Sequence, residues 1–235
     1  MDALSAAASG IRAAELAYDV TANNVANVST TGFRPSRAEQ AEATAGQGTT
    51  TASVEPATSQ GALVRTGNAT DLAVQGNGYF VLSTPQGLRF TRAGNFQVDA
   101  SGTLVAADGS PVMGVTPRGA LAPIQAGAGL TVQPNGAVSR SGHAVGQLAL
   151  ASFADPGGLE QMGGNTLAAS ANSGLPNVGS PGAGARGAIL QGFLQASGTD
   201  VAQEQVSALL DSAALAANVR TAQTQDQMLR GLLSI

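Results

Sequence analysis

The chain has 235 residues, a formal net charge of −4, 43% hydrophobic residues, and only 11% charged and 3% aromatic ones. It contains no cysteine, and all 11 basic residues are arginine. Disulfides, thiolate metal sites, Schiff-base chemistry and a P-loop lysine are therefore excluded, and the scattered arginines supply no clustered positive charge for nucleic acid.

Residues 1–33 come first. Leu4, Ala7, Ile11, Ala14, Tyr18, Thr21 and Val25 alternate in steps of three and four, which predicts a helix with a coiled-coil type of seam. Most of the seam is small, so little apolar area is buried and such a helix is marginal alone in water. It requires a partner. Asn23, Asn24 and Asn27 stand near its end, and Ser29, Thr30, Thr31 and Gly32 close it. Asp2 replaces the basic residues of a secretory leader, so export, if it occurs, is expected without a cleaved signal peptide. No run reaches the ~18 apolar residues of a transmembrane helix, so membrane insertion is not expected.

Residues 34–60 are rich in Ala, Thr, Gln and Gly and read as an extended linker arm that orders only against something else. Residues 61–195 read as a mainly-β domain. Short β-favouring runs recur at Leu72–Gln75, Tyr79–Ser83, Leu88–Thr91, Phe96–Asp99, Leu104–Ala106, Pro111–Val115, Leu130–Val132, Ala144–Phe153 and Ala188–Leu194. Between them lie Asn77-Gly78, Gln86-Gly87, Ser101-Gly102, Asp108-Gly109 and Asn135-Gly136, pairs that accept the positive φ of tight turns. Asp155–Arg186 reads as loop. The pattern points to a sandwich, a barrel or rolled sheets.

A second helix is expected from Thr199 or Asp200, with Asp200 as cap and Gln203 at the return position of a capping box. Val201 to Arg230 contains neither Gly nor Pro, and Val201, Ala208, Leu215, Ala222 and Leu229 recur at heptad spacing. At 1.5 Å per residue this is roughly 45 Å of helix, expected to end at Arg230 and Gly231. The expected fold class is α+β: residues 1–33 with 196–235 form a helical coiled-coil domain, joined through the arm to the β domain. Two weak, Ala-rich helices at opposite ends suit pairing with each other and with neighbouring copies. The assembly seam is then Leu4, Ile11, Tyr18 and Val25 against Val201, Ala208, Leu215 and Leu229. Asn23, Asn24 and Asn27 are expected to hydrogen-bond across helix ends and fix register.

Catalytic chemistry finds no support. Gly182 to Gly187 matches GxGxxG, but it follows a Pro/Gly/Ser loop and leads into a β-like run, with no helix to cap a pyrophosphate. His143 is the lone histidine, without clustered carboxylates for a zinc site. No GxSxG elbow occurs, and Asp71, Asp99 and Asp108 read as turn formers. The sequons at Asn27 and Asn68 read as coincidence. The chain is expected not to be an enzyme and to hold no cofactor or metal.

Long motifs carry a resemblance. ANNVANVSTTGF at Ala22–Phe33, TGNATDLAVQGNGYFVL at Thr66–Leu82 and FTRAGNFQVDASGTLVAADGSPVMG at Phe90–Gly114 resemble bacterial flagellar rod and hook proteins. VGQLALASFADPGGLEQMGGN at Val145–Asn165 and ILQGFLQASGTDVAQE at Ile189–Glu204 resemble the family's distal-rod branch, and DQMLRGLL at Asp226–Leu233 resembles the family's closing motif. The resemblance implies a structural subunit of the basal-body rod, part of a torque-transmitting axial shaft spanning the periplasm. It also implies passage through the flagellar type III export apparatus and helical self-assembly through the terminal helices. Other rod and hook proteins and the surrounding ring proteins are the implied partners. Asn23, Asn24, Asn27, Gly32 and Phe33 fall in the family motif. Ser212–Val219 (SAALAANV) departs from the family by lacking its aromatic, and the arm is short for a distal member, so proximal-rod paralogues stay open. A hook-type axial protein and an extracellular β-rich adhesin module are the alternatives.

Overall fold

The computed structural model describes residues 2–42, 49–127 and 129–233. The chain divides into two compact units. One comprises Met1–Val28, Pro35–Ala57 and Thr199–Ile235, the other Ser29–Arg34 and Thr58–Gly198.

In the first unit, helix α1 spans Asp2–Ala26 and helix α2 spans Val201–Leu233. Asp200 caps α2: its Oδ1 accepts from the backbone N–H of Ala202 at 3.0 Å and of Gln203 at 3.3 Å, two donors that lack partners within the helix. α2 does not stop at Arg230 and Gly231, as the sequence predicts, but continues to Leu233. One helical Gly costs only about 1 kcal/mol, and the apolar Leu232 and Leu233 follow it. The two helices run antiparallel. Gly10 lies against Asn218, Thr21 against Asp211 and Asn24 against Glu204.

Residues expected as an extended arm instead carry two antiparallel strands, β1 (Ser36–Glu42) and β2 (Thr49–Pro56), with a bulge between Glu39 and Gln40. Thr49, Thr50, Thr51 and Val54 favour a pleated backbone, and pairing satisfies the peptide groups of a segment short of large apolar side chains. β1 and β2 pack with α1, so the boundary of this unit includes residues predicted as linker.

The second unit is built on β3 (Leu63–Arg65), β4 (Leu72–Gln75), β5 (Tyr79–Thr84) and β6 (Gly87–Thr91). β5 and β6 form the centre of a six-stranded antiparallel sheet. Its order is Glu160–Gln161, Leu167–Ala168, β6, β5, Leu150–Ser152, Asn177–Gly179. The predicted strand at Ala144–Phe153 is two strands, His143–Gln147 and Leu150–Ser152, in different sheets. Ala188–Leu194 is likewise split at Gly192, whose φ of +77° breaks the extended run. Within Asp155–Arg186, read as loop, three two- or three-residue strands form.

β5 reads as an unbroken apolar run because both its faces are covered. Phe80 and Leu82 join a core with Leu72, Val74, Leu104, Val112, Leu148 and Ile189. Tyr79 and Val81 join another with Phe90, Met113, Ala149 and Leu167. Phe80 meets Phe96 edge-on at 5.0 Å, and Phe90 meets Phe153 at 4.8 Å, the T-shaped geometry that aromatic quadrupoles favour.

Candidate functional site

Along α1 the buried residues are Ala7, Gly10, Ala13, Ala14, Ala17, Thr21 and Asn24. Without Ala13 they step three-four-three-four, a heptad pattern of small side chains. This seam shares Ala7, Ala14 and Thr21 with the one read from the sequence, but turns Gly10, Ala17 and Asn24 toward α2 in place of the large residues. A side chain at Gly10 would put its Cβ 2.8 Å from the Asn218 amide, so the backbones approach closely there. Large groups do not fit such an approach. Ile11 is half-buried, while Tyr18 is 48% and Val25 38% exposed. On α2, Ala208 and Leu215 are half-buried and Val201 is 39% exposed. The side chains of Leu4 and Leu229 lie outside those described.

Fourteen residues separate Gly10 from Asn24, and fourteen separate Glu204 from Asn218, so the pairing keeps its register between these points. At one end stands Asn24, 2% exposed. Its Nδ2 donates to the Ser36 carbonyl at 2.8 Å and to Glu204 Oε1 at 3.2 Å, while its Oδ1 accepts from the Ser36 N–H at 2.9 Å. The amide thus pairs with Ser36 as a neighbouring strand would, joining the end of α1 to β1 and α2. Thr21 donates to Asp211 at 3.2 Å one turn earlier. Asn27 donates to the Asn23 carbonyl at 2.9 Å, a bond local to the helix end, and Asn23 is exposed.

Gly32 and Phe33 belong to the second unit. Gly32 has φ +68°, and a Cβ there would lie 2.4 Å from the Arg92 carbonyl carbon, so only glycine fits. Its N–H donates to the Gln195 carbonyl at 2.7 Å. Phe33 is buried, and its carbonyl accepts from the Gly198 N–H at 3.0 Å.

Sequence reasoning missed two features. One is a strip on α2, where Val206, Leu209, Leu210 and Met228 are 51%, 70%, 66% and 57% exposed; neighbouring leucines off the heptad were its signal. The other is the pair of buried arginines around Tyr79 described below. GxGxxG at Gly182–Gly187 forms a loop closed by Gly182 N–H to Gly187 carbonyl at 2.9 Å and followed by a strand. His143 is exposed at a strand start, its Nδ1 3.2 Å from the Ser141 carbonyl. Among the described residues no group of three His, Asp or Glu could hold a metal, and no helix is long and apolar enough to cross a membrane.

Two terminal helices packed on each other through small residues, with large apolar side chains left outward on both, are the architecture of a structural protein built on its helices. Residues 4–34 match the flagella basal body rod protein family, and residues 73–140 match the flagellar hook protein FlgE/F/G D1 domain. Flagellar basal-body rod protein FlgG of Caulobacter vibrioides is 34% identical over 98% of this chain and 97% of its own length. FlgG of Bacillus subtilis is 31% identical over 97% and 96%. Flagellar hook protein FlgE of Treponema pallidum is 38% identical over 54% of this chain and 31% of its own. The chain belongs to the flagellar rod and hook protein family and is a structural subunit of the basal-body rod.

Proposed function

We propose that this rod subunit polymerises helically through α1 and α2, as one layer of a torque-transmitting axial shaft. The two helices act as a coiled coil, with Leu4, Ile11, Tyr18 and Val25 of one copy meeting Val201, Ala208, Leu215 and Leu229 of a neighbouring copy. The observation that carries this is the exposure of Tyr18 and Val25 beside a packed seam of small residues. Exposed apolar groups at heptad spacing cost free energy in water that a neighbouring helix recovers. Other rod and hook proteins are the further partners, and the ring proteins surround the shaft. Delivery runs through the flagellar type III apparatus, to a rod that spans the periplasm.

The test is the double substitution Tyr18→Asp with Val25→Asp. The variant keeps its circular dichroism as a monomer but loses self-association in sedimentation velocity, and fails to restore motility to cells lacking the subunit. Unchanged sedimentation and motility would refute the reading. A hook-type axial role is the second reading, favoured by the match of residues 73–140 to the hook D1 domain.

A further inference from the structure

Two arginines in the β unit lack a counter-charge among the described residues. Arg34 is 8% and Arg92 5% exposed, and their guanidinium carbons stand 5.3 and 5.1 Å from the centroid of the same Tyr79 ring. Arg34 donates to the Tyr79 hydroxyl and the Thr58 carbonyl. Arg92 donates to the Gly76 carbonyl at 2.8 Å and, at longer range, to the Val74 carbonyl and Gln195 Oε1. All these acceptors are neutral. The Nε–H of each arginine is buried without a hydrogen-bond partner, and no Asp or Glu among the described residues pairs with either.

Burying a charge without its opposite is costly, and two like charges facing one ring are costlier. Burial, and secondarily the charge of Arg34, pulls Arg92 down to about 10. Burial pushes the Tyr79 phenol up, so it stays neutral and offers no counter-charge. Beside the pair lies a cavity of about 210 Å³, lined by Arg34, Asn77, Tyr79, Arg92, Ser152 and Phe153 among others. At ~30 Å³ per water in the liquid this is room for about seven waters, more than one small oxyanion needs.

We infer that this cavity is an oxyanion site, in which a carboxylate or tetrahedral phosphate sits against the Arg34 and Arg92 side chains that line it and supplies their missing counter-charge. Arginine's planar fork matches both chemistries. The anion comes from one of two sources, an inorganic ion or an acidic side chain of a second copy. Only the second source rests on the assembly reading.

Isothermal titration calorimetry of inorganic phosphate, and separately of acetate, into the full chain at fixed ionic strength tests the inference. Saturable binding at one site is expected, weakened about tenfold or more in Arg34→Gln and Arg92→Gln, the scale of a lost charged hydrogen bond. Absence of saturable binding, or equal binding by both variants, overturns it. Should Arg92→Gln not fold, hydrogen exchange of the native chain decides: phosphate slows exchange around Tyr79 and Arg92 relative to chloride, and identical exchange overturns the site. Once binding is seen, sedimentation assigns the source. Phosphate that weakens self-association is displacing a neighbour's carboxylate, whereas unaltered association assigns the site to the free ion.

Discussion

Asn24, Gln60 and Gln191 each pair a side-chain amide with both a backbone N–H and a backbone carbonyl. Gln60 donates to the Val74 carbonyl at 2.7 Å and accepts from the Gly76 N–H at 2.9 Å, and Gln191 treats Leu130 and Val132 the same way, both at 3.0 Å. Removing such an amide leaves buried peptide groups unmet, at about 1–3 kcal/mol. Asn24→Leu is expected to cost about 2–3 kcal/mol, because it removes two hydrogen bonds to the Ser36 backbone and one to Glu204. Urea unfolding followed by circular dichroism measures it, and a loss under about 0.5 kcal/mol, the level of a neutral surface change, would contradict the pairing. Gly32→Ala combines a left-handed backbone with a backbone clash and should lose about 2–4 kcal/mol by the same assay. Asp99 is the acid-sensitive turn residue. Its carboxylate accepts from the Ser101 hydroxyl at 2.7 Å and the Thr103 N–H at 2.8 Å, which hold it below its ordinary 3.8. A depressed carboxylate stabilises the fold above its unfolded value and loses that as pH falls through the folded one. The melting-temperature gap between wild type and Asp99→Asn should therefore be full above pH 3.8 and close below it.

Among elements, α1 carries two overlapping heptad phases, and that overlap limited what its sequence could reveal. Ala7, Ala14 and Thr21 belong to both, so the periodicity marked the helix and one shared edge but not which flank meets α2. Size decided the outcome: Gly10 and Ala17 admit a close neighbour, whereas Tyr18 does not. The two seams predict opposite phenotypes. Ala14→Leu, inside the packed seam, should destabilise the helix pair by about 1–3 kcal/mol through overpacking. Tyr18→Ala should leave monomer unfolding unchanged and weaken only self-association, as read by sedimentation. β4, β5 and β6 were legible because apolar runs bounded by Asn-Gly and Gln-Gly leave little else to form. β1 and β2 were not, since polar Ala-, Glu- and Thr-rich segments carry no apolar periodicity, although the two pair close in sequence. The arginine pair around Tyr79 left no trace in spacing, because Arg34, Tyr79 and Arg92 are joined only by the fold.

The whole molecule divides its stability unevenly. Phe80, Leu82, Leu104, Leu148 and Leu150 are fully enclosed, whereas among the described residues of α2 none is buried. Local opening follows burial, so amide exchange should be slowest in β5 and fastest, among regular elements, in α2. On polymerisation α2 should become the most strongly protected, and its failure to change would remove the assembly role. The antiparallel register of α1 with α2 has a kinetic consequence. Gly10 and Asn218 meet across most of the chain, so α1 closes its contact only once α2 has been made, and such distant closures are slow. Docking of α1 therefore waits for the tail. Deleting Val201 onward should cost circular dichroism the signal of both helices, because the cut takes one from the chain and leaves the other without its support.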